Sequence, residues 1–112
     1  MPAEVYQLFS SSKGNCCLIK NGNDVFLIDA GVSAKRIEAA VKQVGIAPEQ
    51  IRAVFVTHEH SDHIKGLETL SRRYGMDIYA PTGCFDGILA AAPSAFPFLK
   101  PNEPGTLTCL ED

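Results

Sequence analysis

Short apolar runs separated by turn residues open the chain. Val5 to Phe9 and Cys16 to Lys20 have strand character, with the polar segment Ser10-Ser11-Ser12-Lys13-Gly14-Asn15 as a turn between them. Asn21-Gly22-Asn23 predicts a tight hairpin, because Asn and Gly tolerate the positive φ such turns need. Val25-Phe26-Leu27-Ile28 then reads as a central strand that ends at Asp29-Ala30-Gly31. From there the period lengthens. Ser33 is placed to cap a helix with Ile37, Val41 and Val44 on one face and Gly45 at its end. Ile51 to Val56 is the next strand, and a second helix carries Ile64, Leu67 and Leu70, with Arg72 and Arg73 near its end and Gly75 as its stop. Asp77 to Ala80 predicts another strand, and Pro81 to Ala92 the start of a further helix. Residues 93–105, with Pro93, Pro97, Pro101 and Pro104, read as a loop before a last strand from Gly105 to Leu110. The order predicts an α/β layout in one domain over residues 1–112, with helices covering a mixed sheet.

Composition narrows the class only a little. The length of 112 residues suits one ordinary domain, and an apolar fraction of 46% is that of a globular protein. A net charge of −3 supplies no general basic field for nucleic acid, although a bound metal adds positive charge that such a sum ignores. The start, Met1-Pro2-Ala3-Glu4, lacks the basic and apolar pattern of a signal peptide, and the apolar stretch from Gly87 to Leu99 is too short to span a bilayer. Cys16 and Cys17 are adjacent, so on a strand they face opposite ways, and Cys84 and Cys109 stand apart. A disulfide framework is not expected, and a reducing cytoplasm is.

The chemistry is concentrated in one place. All three histidines fall in Thr57-His58-Glu59-His60-Ser61-Asp62-His63, at the junction between the Ile51–Val56 strand and the second helix. Imidazoles and carboxylates gathered at a strand mouth repel or stay solvated unless a cation sits among them. In an extended segment His58 and His60 point to the same side, as two ligands of one metal should. Asp62 and His63 follow the turn into the helix and approach from another direction, suited to a second metal. Two metals about 3.5–4 Å apart can stabilise both the attacking and leaving oxygens of a displacement. Nitrogen and carboxylate ligands suit Zn²⁺, with Mn²⁺ or Fe²⁺ as alternatives. A zincin helix does not fit: position four after His58 is Asp62, and His63 comes one later.

The run resembles the signature of the metallo-β-lactamase-fold hydrolases, and Leu27-Ile28-Asp29-Ala30-Gly31 resembles that family's strand ending in Asp and Gly. Ser10 to Asn15, with His63-Ile64-Lys65-Gly66-Leu67, looks more narrowly like the bacterial YycJ/WalJ branch, described as metal-dependent phosphodiesterases or exonucleases acting on DNA. The resemblance implies that His58 and His60 ligate the first metal and that Asp62 and His63 ligate the second. Asp62 also takes the catalytic position. It makes Asp29 a residue that orients a ligand or caps the loop, and Thr57 a support for the loop. Lys13, Gly14 and Asn15 are candidate phosphate contacts, although the segment by itself reads as a plain hairpin turn.

The same resemblance implies an αββα sandwich whose further ligands, including another histidine, come from a second half. The chain is therefore expected to be the N-terminal half of that sandwich. An apolar sheet face would then be left open, available for self-association as a homo-oligomer. The function expected of the whole protein is phosphodiester hydrolysis in nucleic acid, without a membrane partner. The alternatives are thioester or lactone hydrolysis of the glyoxalase II kind, or an inactive, self-associating segment that binds metal weakly.

Overall fold

The computed structural model describes residues 3–12, 14–58 and 61–102, with backbone alone at Ser61 and Asp62. Three antiparallel strands come first: β1 (Glu4–Ser11), β2 (Gly14–Asn21) and β3 (Asp24–Ile28). The chain then crosses through α1 (Ala34–Gln43) to β4 (Ile51–Phe55), parallel to β3. A second crossover, through α2 (Ser61–Ile64) and α3 (Leu67–Tyr74), leads to β5 (Asp77–Ala80), parallel to β4. Finally α4 (Phe85–Ala91) precedes β6 (Leu99–Pro101), parallel to β5. The sheet order follows the chain order, β1-β2-β3-β4-β5-β6, so the mixed sheet expected from the sequence is present.

The alternation in β2 and β3 decides which face meets the helices. Cys16, Leu18, Val25 and Leu27 are buried, whereas Cys17, Ile19, Phe26 and Ile28 are half-buried. Cys16 and Cys17 do point to opposite faces. The buried set packs with Val54 and Ile78 of the sheet against Ile37 and Val41 of α1, Leu67 and Leu70 of α3, and Ile88 of α4. None of Ile19, Phe26, Ile28, Phe55 or Tyr79 belongs to this core, and together they form the opposite face. There the ring of Phe55 meets Phe26 edge-on at 5.8 Å and stacks on Tyr79 at 5.1 Å. Among the described residues, no helix lies in the core on that side.

Local signals account for most boundaries. Ser33 is extended and its hydroxyl accepts from Arg36 N–H at 3.4 Å, which caps α1 as predicted. Gly75 closes α3 in the left-handed conformation at φ 67°, its N–H bonded to Ser71 O at 2.8 Å.

Two expectations are corrected. The second helix is not continuous but breaks at Lys65-Gly66 into α2 and α3. Gly66 is closely packed at the break: a Cβ there would lie 2.4 Å from Val32 O, and its N–H donates to Ala30 O at 2.7 Å instead of continuing the helix. The proline-rich segment after residue 92 is not a loop throughout, because Pro93–Phe98 forms a 3₁₀ helix and β6 follows it. Glu68 of α3 stabilises that turn, accepting from Ser94 N–H at 2.8 Å and from its hydroxyl at 2.6 Å. The strand expected from Gly105 to Leu110 lies outside the described residues.

Candidate metal centre

The histidine run begins where β4 ends, at the carboxyl end of the parallel strands, the usual location of a site in an open α/β sheet. Three elements converge there. The end of β3 supplies Asp29, the end of β4 supplies Thr57 and His58, and α2 supplies His63.

Asp29 is the centre of the arrangement. Its backbone is left-handed, φ 63°, uncommon outside glycine but tolerated by Asp, and its N–H extends the β3–β4 ladder to Phe55 O at 2.8 Å. That turn sends a carboxylate only 5% exposed beneath the end of β4. Asp29 Oδ1 accepts from Thr57 N–H at 2.8 Å. Asp29 Oδ2 accepts from the Thr57 hydroxyl at 2.7 Å and lies 2.7 Å from His63 Nδ1. Thr57 Oγ1 in turn lies 3.0 Å from His58 Nδ1, and the His58 and His63 ring centroids are 4.8 Å apart.

The loop after Asp29 is clamped on both sides. Ala30 N–H donates to His63 O at 2.8 Å, and Gly66 N–H donates to Ala30 O at 2.7 Å. Opposite, Gly31 N–H donates to Asn15 O at 2.8 Å, and a Cβ on Gly14 would come within 2.4 Å of Val32 Cγ1 and 2.8 Å of Gly31 O. Gly14 and Asn15 therefore sit at the same end of the sheet as Asp29, His58 and His63. Next in β2, Cys16 is buried, and burial first, then the neighbouring Cys17 thiol and the Asp29 carboxylate, push its pKa up to about 12. Cys16 is thus a packed thiol rather than a nucleophile or a ligand at neutral pH.

Of the sites expected from sequence, Asp29, Thr57, His58 and His63 are brought together. His60, Lys13 and the side chain of Asp62 lie outside the described residues. Gly14 and Asn15 open β2, with Ser11 Oγ donating to Gly14 O at 3.4 Å. Among the described residues, no group of three or more His, Cys, Asp or Glu converges to hold an ion. The donor chemistry of those present still fits a divalent metal. Two imidazoles stand side by side, tilted by 48°, with Nδ1 of each engaged by an oxygen, the arrangement that leaves Nε2 for a ligand position. Sequence reasoning missed the clamps at Ala30 and Gly66. An isolated glycine inside a helical pattern was the signal for the second.

Comparison with known proteins supplies the family and the fold. The family model described as "Metallo-beta-lactamase superfamily" matches residues 12–83. The exodeoxyribonuclease WalJ of Streptococcus pneumoniae is 44% identical over 73 residues, covering 65% of this chain and 27% of that protein. The exodeoxyribonuclease YycJ of Bacillus anthracis is also 44% identical over 73 residues, covering 65% of this chain and 28% of its own length. These matches therefore span little more than a quarter of the curated relatives. Among solved structures, a B3 metallo-beta-lactamase with an active-site glutamic acid superposes with a TM-score of 0.67 at 26% identity, covering 78% of this chain and 35% of that one.

Proposed function

Because the chain belongs to the metallo-beta-lactamase superfamily, we propose that it carries part of a divalent-metal site in a hydrolase that cleaves phosphodiester bonds in DNA, as an exonuclease. The observation that carries the metal reading is the buried carboxylate of Asp29, tied to His63 directly and to His58 through Thr57, with the two rings 4.8 Å apart. In this reading His58 and His60 hold one metal, Asp62 and His63 the other, with Asp62 at the catalytic position. Asp29 and Thr57 orient the rings from behind. The names of the two relatives support DNA as substrate.

Bound there, a divalent metal, Zn²⁺ on ligand chemistry, would lower the pKa of water from about 15.7 toward about 7 and polarise a phosphoryl oxygen. The protein's own part is to hold the nitrogens in place. The carboxylate lies beneath Thr57 and each imidazole is tethered through Nδ1, so little reorganisation is needed on binding. Lys13, Gly14 and Asn15 are proposed as a phosphate contact, supported by the bond from Gly31 N–H to Asn15 O that holds Asn15 beside the loop after Asp29. A cytoplasmic location is proposed with it; among the described residues no helix is long and apolar enough to cross a membrane.

The test is twofold. Zinc content by elemental analysis should fall in His58→Ala and His63→Ala, and unchanged stoichiometry would remove both as ligands. Metal-loaded whole protein should release nucleotides from end-labelled linear DNA but spare a glutathione thioester. The reverse preference would favour the thioester hydrolase alternative.

The aromatic sheet face favours a second reading, concerned with assembly. Ile19, Phe26, Ile28, Phe55 and Tyr79 lie outside the helix-covered core, and an apolar face of this kind is stabilised by covering. We propose that two copies of this chain can pair through it. A concentration-independent monomer in light scattering would argue against pairing.

A further inference from the structure

We propose that Thr57 is a positioning residue through which the Asp29 carboxylate fixes His58 as well as His63, so that one buried acid sets the tautomer of both rings. The inference deepens the metal reading above and rests on it for its purpose, but the bond pattern itself can be tested without metal.

The available protons decide the tautomers. A carboxylate only accepts, and a threonine hydroxyl has one proton to give. Thr57 Oγ1 is 2.7 Å from Asp29 Oδ2, a distance at which two oxygen lone pairs would repel, so the hydroxyl proton must lie between them. That leaves Thr57 Oγ1 only lone pairs to offer His58 Nδ1 at 3.0 Å. His58 must then carry a proton on Nδ1. His63 Nδ1, 2.7 Å from Asp29 Oδ2, must carry one for the same reason. In the neutral form of each ring the lone pair is on Nε2, the atom turned away from Asp29 and Thr57.

Asp29 thus acts on His63 directly and on His58 through one intervening hydroxyl. An imidazole that donates one N–H to a neighbouring oxygen is held in orientation, and its other nitrogen becomes more basic. Here the two rings are not independent in this respect. In the proposed ligand set they serve different metals, so the shared acid prepares both positions at once. Thr57 also gives its backbone N–H to Asp29 Oδ1 at 2.8 Å, so the carboxylate stays anchored when the hydroxyl is removed. Thr57 Oγ1 also lies 3.5 Å from His63 Nδ1, but that ring has the closer Asp29 Oδ2 at 2.7 Å, so substitution at Thr57 falls chiefly on the branch to His58.

The experiment is long-range ¹H–¹⁵N NMR of the metal-free chain, with Zn²⁺ titration of the same samples. In the unsubstituted protein both His58 and His63 should be Nδ1–H tautomers. Thr57→Val keeps the shape and removes the oxygen. It should move His58 toward Nε2–H, leave His63 unchanged, and weaken Zn²⁺ binding by about 10–100-fold. Thr57→Ser should restore the tautomer and most of the affinity, which a purely structural role for the side-chain shape would not predict. A His58 that is Nε2–H in the unsubstituted protein overturns the inference, and this needs no variant to fold. A tautomer indifferent to Thr57→Val in a folded variant overturns it equally. If the tautomers are as stated but Zn²⁺ does not bind, the positioning stands and the metal reading fails.

Discussion

Replacing Gly66 with alanine should cost more than a glycine substitution of the usual kind, for a reason unrelated to backbone freedom. Gly66 sits at φ −92° and ψ 0°, accessible to any residue, so alanine meets no torsional penalty. The obstacle is space: a Cβ there would lie 2.4 Å from Val32 O, 3.1 Å from Ala34 N and 3.2 Å from Ile37 Cδ1. A comfortable carbon–oxygen contact is about 3.5 Å, so the helix and the loop must separate by roughly 1 Å. Two of the three obstructing atoms are backbone, and the Gly66 N–H is itself bonded to Ala30 O at 2.7 Å. Overpacking of this kind costs about 1–3 kcal/mol, and stretching that hydrogen bond adds about 1 kcal/mol. The expected loss is about 2–4 kcal/mol, or roughly 8–16 °C in Tm for a domain of this size. Gly75→Ala is the control: its φ of 67° penalises alanine by about 1–2 kcal/mol, yet nothing lies within 4 Å of its Cβ position. Urea unfolding followed by circular dichroism measures both, with an unchanged m-value as the condition for comparison. A Gly66→Ala loss no larger than that of Gly75→Ala would refute the packing argument. Because the separating loop carries Asp29, the Gly66 variant should also bind Zn²⁺ more weakly than the Gly75 variant.

Other expectations can be checked on the same protein. Asp29→Asn places an NH₂ group where Oδ2 now meets His63 Nδ1, so His63 should switch to Nε2–H and Zn²⁺ affinity should drop by about 10–100-fold, read by NMR and titration. Burial pushes the Glu38 carboxyl up, but hydrogen bonds from Tyr74 and Arg73 outweigh it and leave its pKa lowered. A lowered folded-state pKa means stability present above the unfolded glutamate range and lost as pH falls through the folded value. Glu38→Gln should therefore flatten the acid limb of a urea-midpoint profile. Cys16, pushed up to about 12 chiefly by burial, gives the opposite sign: its contribution is full below the unfolded thiol range and is lost as pH rises toward 12. Cys16→Ala should reduce the decline in stability between about pH 9 and about pH 11, which lies between the ordinary thiol range and the folded value. A thiol reagent at neutral pH should label half-buried Cys17 before buried Cys16; the reverse order in a mass-spectrometric digest would contradict the facing of β2.

The parts legible in the sequence are those where one local signal sufficed. The apolar run Cys16 to Lys20 between two turn signals marked β2, Ser33 marked the start of α1, and Gly75 marked the end of α3. The convergence of Asp29 with Thr57 and His63 was suggested only by resemblance. Residues 28 and 34 positions apart meet only because β3 and β4 pair in parallel, which no local pattern specifies. The break at Gly66 was masked because Ile64, Leu67 and Leu70 keep a helical period across it, while the partners of Gly66, Ala30 O and Val32, lie far back in the chain. The proline-rich segment misled for a related reason. Prolines are compatible with a short 3₁₀ turn, and the bonds from Ser94 to Glu68 that help hold it are tertiary.

The strand order has a consequence for how the chain assembles. Every strand lies beside its neighbour in sequence, so none must be threaded between two that have already paired. Each new pairing then closes only the short intervening segment, a modest entropic cost, and the sheet can grow from one edge to the other. Asp29 and Thr57 come within reach of each other when β4 docks on β3, before β5 or β6 is needed. In pulse-labelling hydrogen exchange, the Asp29 and Thr57 amides should gain protection with β3 and β4; protection arriving only with β6 would exclude this order.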